Sequence, residues 1–231
     1  METVVLVTAQ TGVSEYLAAI QRLAPLIREQ RRHFDEQRRI PDQVFAALAD
    51  AGLFRLYLPK TLGGPELSPF DFMTVVEAAS ALDGSIGWLV GNGGGMSRIA
   101  GYLPEKVTRE WFAYPHAFIT SATGAIGTAE PVEGGYRVSG RWTFGSGCHE
   151  AKWMLGSFQI LDDGQPRRRE DGGMFWRGVF PRAEVEVIPG SWDVTGLRGT
   201  GSFDWTVKDF FLPERRTMIH AGVPLDNQWG H

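Results

Sequence analysis

Apolar positions in the first half of the chain recur at helical spacing. Tyr16, Ala19, Ile20, Leu23, Ala24 and Ile27 make one stripe, and Val44, Ala47, Leu48 and Ala51 make a second, opened by Pro41 in the first turn and closed by Gly52. Ser68-Pro69-Phe70-Asp71 has the form of a capping box with proline at the first helical position, and Phe72, Val75, Val76 and Ala79 follow at i, i+3, i+4 and i+7. A further helix starts near Asp83 or Ser85 and carries Trp88, Asn92 and Met96, and another runs from Pro104 toward Phe112. After Pro115 the period drops to two. Residues 117–123, 136–144, 152–161, 173–180, 184–188 and 202–212 read as strands, several with alternating faces, separated by Gly, Pro, Asp and Glu turns. Helices first and strands second predict an α+β chain: an N-terminal all-helical domain over 1–116, then a β-barrel-like domain over 117–231.

The strand from Tyr136 leads into the segment with most chemistry. Tyr136, Val138, Trp142 and Phe144 share one face and Arg137, Ser139, Arg141 and Thr143 the other, before the turn Gly145-Ser146-Gly147-Cys148. The glycines lack Cβ, so backbone amides there can approach a flat ring closely, and the Ser146 hydroxyl can hydrogen-bond a ring-edge carbonyl or nitrogen. That description fits a flavin. An ordinary strand followed by a Gly-Ser loop accounts for the same residues, so the neighbouring segments decide. The glycine-rich stretch from Gly196 to Ser202 leads into a strand rather than a helix and has no Gly-Lys-Ser/Thr, so it reads as a turn beside a site and not as a nucleotide loop. Arg198 within it could pair with a ligand carboxylate or phosphate, or sit on the surface. His149 and Glu150 beside Cys148 suggest a base and a nucleophile, but neighbours on a strand or turn point to opposite faces. Cys148 is expected to be a small packed thiol.

Composition narrows the partners. With 231 residues, 43% hydrophobic and 12% aromatic, the chain can bury a large core. Its net charge of -4, with arginine clusters scattered between acidic residues, argues against nucleic acid as a partner. A single cysteine excludes an intrachain disulfide, and five scattered histidines give no zinc spacing, so no metal site is expected. The weakly polar stretch 86–96 is interrupted by Asn92 and glycines and is too short for a bilayer. The apolar run Val4 to Val7 lacks a basic flank and the length of a signal peptide, leaving the reducing cytoplasm as the expected compartment.

Three stretches together resemble the acyl-CoA dehydrogenase superfamily over nearly the whole chain. They are Gly52-Leu53-Phe54-Arg55-Leu56-Tyr57-Leu58-Pro59 with Gly63-Gly64, residues 136–148, and Thr195-Gly196-Leu197-Arg198-Gly199-Thr200-Gly201-Ser202 through Leu212-Pro213-Glu214. Asp83-Gly84-Ser85-Ile86-Gly87-Trp88 and Phe144-Gly145-Ser146-Gly147-Cys148 look more like the two-component flavin monooxygenases that hydroxylate aromatic or related substrates. The Thr-Glu-Pro and Gly-Ser-Asp pattern typical of the dehydrogenases is absent from residues 120–127. The resemblance implies FAD or FMN as cofactor, with contacts at Thr120, Ser121, Phe144, Gly145 and Ser146. It implies a substrate cavity at Trp88, Asn92 and Met96 with Arg198 nearby, although core packing is the other reading of Met96. It further implies a small-molecule substrate, reduced flavin from a flavin reductase, and homo-oligomers among full-length relatives. Family members also carry a C-terminal four-helix bundle that supplies the catalytic base. The 231 residues are expected to lack that bundle, which leaves the catalytic base unassigned and makes a chain that supplies the bundle one candidate partner. Three readings stand: a monooxygenase component, an FAD-dependent acyl-CoA dehydrogenase oxidising a CH-CH bond, and a non-catalytic remnant or interaction fragment.

Overall fold

The computed structural model describes residues 12–219, so the apolar run at Val4 to Val7 lies outside the described residues. Five α-helices come first: α1 (Val13–Gln37), α2 (Asp42–Asp50), α3 (Pro69–Leu82), α4 (Gly84–Met96) and α5 (Glu105–Phe112). Each follows from its sequence signals. α1 buries Tyr16, Ala19, Ile20, Ala24 and Ile27 of the expected stripe, while Leu23 is only partly covered. α2 starts directly after Pro41. Ser68 caps α3 by accepting the Asp71 amide at 3.2 Å, and its hydroxyl donates to the Asp71 carboxylate at 2.8 Å. Asp83 caps α4 by accepting from Ser85 N at 2.8 Å and Ile86 N at 3.3 Å. The same carboxylate meets Arg31 of α1 at 2.5 Å, which ties the start of α4 to the long first helix.

Eight strands follow: β1 (Ile119–Val132), β2 (Gly135–Gly145), β3 (Trp153–Asp162), β4 (Gln165–Pro166), β5 (Trp176–Pro181), β6 (Glu186–Val187), β7 (Phe203–Pro213) and β8 (Thr217–Ile219). They form one curled mixed sheet in the order β6-β7-β2-β1-β3-β5-β8, with β4 paired to β3. β1 and β3 run parallel and the other pairs are antiparallel. β1 is about twice as long as its predicted stretch. Its register against β3 shifts between Ala122 and Ile126, which breaks the alternation that would have revealed the second half. β4 and β8, at two and three residues, are too short for any alternation to show.

One expectation for β2 is corrected. Val138 and Trp142 are buried as the alternation requires, but Phe144 is 62% exposed. Trp142 pairs with Trp205 and Gly145 with Phe203, so β2 spends three residues where β7 spends two. The extra residue is a bulge in which Phe144 adopts φ 59, and its ring turns away from the core.

The main core runs from the helices into the sheet. Phe45, Phe54 and Phe118 pack at centroid separations of 4.9 to 5.5 Å, joining α2 to the entry of β1. Trp142 and Trp205, both fully buried, stack at 4.2 Å across β2 and β7. A second cluster of Ile99, Leu103, Trp111, Phe112, Trp153 and Val179 joins α5 to the opposite part of the sheet. Full burial of side chains this size contributes about 1.5–3 kcal/mol each. The two clusters fix α4 against β1, and that contact sets Trp88 above the end of β2.

Candidate functional site

The bulged end of β2 runs into a tight turn whose amides are spoken for. Ser146 N donates to Phe144 O at 2.9 Å, Cys148 N to Gly145 O at 3.0 Å, and Gly147 N to Thr200 O at 2.8 Å. The Thr120 hydroxyl donates to the Ser146 carbonyl from the neighbouring strand. Gly147 takes φ 68, and a Cβ there would lie 2.7 Å from the Phe118 ring. A Cβ on Gly145 would lie 2.9 Å from Trp205. Both glycines are therefore demanded by the protein interior behind the turn. The reading that they leave room for a ring in front of it is not supported by where their missing Cβ atoms point.

What the turn presents instead is a hydroxyl. The Trp88 indole N–H donates to Ser146 Oγ at 2.8 Å, Ser146 Oγ is 2.8 Å from Ser202 Oγ, and Ser202 Oγ is 2.6 Å from Thr200 Oγ1. Ser146, Ser202 and Thr200 are 5%, 3% and 1% exposed. They line a cleft of about 390 Å³ together with Ser121, Asn92 and the apolar groups Trp88, Phe144, Trp192 and Leu197. The rim is aromatic, for Phe144 meets Trp192 edge-on at 6.1 Å and 90°. Trp192 is held by its own indole, which donates to Arg198 O at 3.0 Å. Leu197, in the left-handed region at φ 55, extends a half-exposed side chain to the same rim. Apolar walls, a short row of buried hydroxyls and a volume in the usual range of about 300–1,000 Å³ are the features of a small-molecule site.

The expected residues divide. Trp88, Asn92, Ser121, Phe144 and Ser146 line the cleft. Thr120 stands behind it, buried and bonded to the Ser146 carbonyl, and Gly145 is buried against Trp205. Met96 lies eight residues beyond Trp88, about 12 Å along the helix axis, and packs on the second core with Leu62 and Val107. Arg198 does not line the cleft, and its Nε is buried with no hydrogen-bond partner. Trp192, Leu197, Thr200 and Ser202 also line the cleft and are not singled out as site residues by the sequence pattern. For the last three the signal was present, since their glycine-rich stretch read as a turn beside a site. Trp192 had none beyond being a tryptophan in a loop.

The Cys148-His149-Glu150 stretch is no catalytic pair. Cys148 is fully buried, its thiol donates to Gly201 O at 3.4 Å, and burial followed by the nearby Glu150 charge pushes its pKa up to about 12. The His149 ring lies edge-on to Phe203 at 4.9 Å, and burial lowers its pKa, helped by Arg39 and Arg182. The Glu150 side chain is 6% exposed and paired with Arg39, which also meets Asp42 at 3.0 Å. Burial raises the Glu150 pKa to about 7 against the pull of Arg39. The Arg39 backbone also forms an antiparallel β-bridge with Thr200, so the corner after α1 holds the segment of Ser202 through its backbone and the turn of Ser146 through the ion pair with Glu150.

Residues 18–114 match the acyl-CoA dehydrogenase N-terminal domain. Beyond that domain the likeness continues into the sheet: the chain is 35% identical over 215 residues to the oxygenase subunit HsaA of a flavin-dependent monooxygenase from Mycobacterium tuberculosis, covering 93% of this chain and 53% of that one. The chain belongs to the acyl-CoA dehydrogenase superfamily. Within the superfamily it is also 31% identical to indole-3-acetate monooxygenase from Pseudomonas putida, over 89% of this chain and 52% of that one. Among solved structures, XiaF from Streptomyces sp. in complex with FADH2 and glycerol superposes with a TM-score of 0.81 at 28% identity, over 90% of this chain and 51% of that one. The chain spans about half the length of the curated relatives it matches. Among the described residues no helix is long and apolar enough to cross a membrane.

Proposed function

We propose that the cleft holds the ring of a flavin, FAD or FMN, and that the chain contributes to the oxygenase component of a two-component system hydroxylating a small aromatic or related substrate. A separate reductase would supply the reduced flavin. The observation that carries this reading is the chain of buried hydroxyls under an aromatic rim. Ser146 offers a positioned hydrogen bond to a ring edge, and Phe144, Trp88 and Trp192 offer flat apolar surface to a ring face. A flavin fits such a donor set, being planar, apolar over its benzenoid part and rich in acceptors along one edge. The names of the relatives point the same way. Bound reduced flavin would supply the activation of oxygen needed for hydroxylation. The protein's part is to hold the ring on Ser146 and Phe144, to keep water out with Trp88, Trp192 and Leu197, and to leave the Asn92 and Ser121 side of the cleft for the substrate.

The test is anaerobic titration of the protein with oxidised and reduced FMN and FAD, followed by flavin fluorescence, with Ser146→Ala in parallel. Micromolar binding that is tighter for reduced flavin and weakened by the substitution is expected. A preference for oxidised FAD that is bleached by an acyl-CoA would favour the dehydrogenase reading. No binding of any flavin would overturn the proposal.

A further inference from the structure

The three hydroxyls under the cleft form a chain whose proton order is not fixed by geometry. Trp88 Nε1 can only donate, so one lone pair of Ser146 Oγ is committed to it at 2.8 Å. Ser146 has one proton and one further acceptor position. Its remaining protein partner is Ser202, at 2.8 Å, and Ser202 in turn meets Thr200 at 2.6 Å. Either atom of each pair can be the donor. In one order Thr200 donates to Ser202 and Ser202 to Ser146, which leaves the Ser146 proton free to donate into the cleft. In the other order Ser146 donates to Ser202 and Ser202 to Thr200, which leaves Ser146 free to accept from the cleft. Both ends of the chain, Ser146 and Thr200, line the cleft, so neither order strands a proton inside the protein. Rotation of three hydroxyls converts one order to the other.

We propose that Ser202 and Thr200 are positioning residues that let Ser146 serve the same ligand atom as donor or as acceptor. This rests on the reading of the cleft as a flavin site and adds to it a reason for the two further hydroxyls. A flavin has a ring-edge atom that changes character in this way: N5 is a bare acceptor in the oxidised ring and an N–H donor in the reduced one. A lone serine bonded to Trp88 would serve the oxidised ring by donating to it. When accepting from the reduced ring it would be left with its own buried proton unpaired. Ser202 takes that proton, and Thr200 takes the next. The chain therefore matters more for the reduced ring than for the oxidised one, because a buried donor without a partner costs more than an acceptor with one lone pair unused.

The experiment is anaerobic equilibrium titration of wild type, Ser202→Ala and Thr200→Val with oxidised and reduced flavin, joined to measurement of the bound flavin's midpoint potential. Ser202→Ala is expected to weaken reduced flavin by about tenfold and oxidised flavin by less than about threefold. Each tenfold selective loss of the reduced form moves a two-electron potential about 30 mV more negative. Thr200→Val, which leaves Ser202 in place, should shift the potential in the same direction and by less. Ser202→Thr keeps the hydroxyl and should restore the wild-type value. Equal weakening of both oxidation states, or an unchanged potential in Ser202→Ala and Thr200→Val, would overturn the inference while leaving the flavin site standing. Failure of wild type to bind either oxidation state would overturn the flavin site and the inference with it.

Discussion

Gly147→Ala separates two accounts of the turn below the cleft, one in which its glycines admit a ligand and one in which they admit the protein core. Gly147 has φ 68, where an L side chain costs about 1–2 kcal/mol. Its new Cβ would also sit 2.7 Å and 2.9 Å from Phe118 ring carbons and 3.2 Å from Leu89 Cδ2, and Phe118 is fully buried between Phe45 and Phe54. Overpacking of that kind costs about 1–3 kcal/mol, so the total loss is about 2–5 kcal/mol out of an ordinary stability of about 5–15. Urea unfolding followed by circular dichroism should show the midpoint falling by about 1–2 M for a slope near 2–3 kcal/mol/M. Gly145→Ala, where φ is not left-handed and only the approach to Trp205 and Phe203 matters, should lose less. A Gly147→Ala protein with the wild-type midpoint and no affinity for flavin would refute this reasoning, because it would place the bare side of the glycine toward the ligand.

Phe144→Ala should behave in the opposite way: the ring is 62% exposed, so stability should stay within about 0.5 kcal/mol of wild type while flavin affinity falls about 3–10-fold from the loss of a ring contact; an affinity unchanged by the substitution would remove Phe144 from the site. Burial holds the Glu150 proton to about pH 7 against an ordinary value of 4.5, so the folded chain binds it more tightly than the unfolded chain does. Its stabilising contribution is full below pH 4.5 and is lost as pH rises through 7, and Glu150→Gln should flatten the curve of stability against pH in that window by up to about 3 kcal/mol. An unaltered slope would count against it. Arg39→Met should cost about 1 kcal/mol more at pH 8, where the wild-type Glu150 is ionised against Arg39, than at pH 5, where Glu150 is protonated; equal losses at both pH values would contradict the pairing. Cys148, with its thiol pushed up to about 12, should resist a disulfide reagent at pH 8 in the native protein and react at once in denaturant, and rapid labelling of the native form would show the thiol to be accessible.

Helices and caps were legible because each is decided within a few residues: Ser68 and Asp83 meet their amides two or three positions on, and the stripe of α1 meets the core as one face. The sheet was legible wherever alternation survived, and it failed at register shifts, among them those in β1 after Ala122 and in β2 after Trp142. The shift after Trp142 is not marked by the glycine or asparagine that usually signals a left-handed residue, since Phe144 itself takes that conformation. The bulge reverses the outcome for the most informative aromatic: a strict period of two puts Phe144 in the core beside Trp142, whereas one inserted residue puts its ring on the cleft. Met96 fails for a related reason. Helical spacing from Trp88 places it on a shared face, but α4 travels out of the cleft and into the second core within that distance. The hydroxyl chain was beyond reach for a different reason. Trp88, Ser146 and Ser202 sit on α4, on the turn after β2 and just before β7, separated by 58 and 56 positions, and what brings them within 2.8 Å is the pairing of β2 with β7 and the packing of α4 on β1. Local pattern determines which residues are hydroxyls on a turn. The register of strands far apart in the chain determines which hydroxyls meet, and the chemistry of the cleft depends on that meeting.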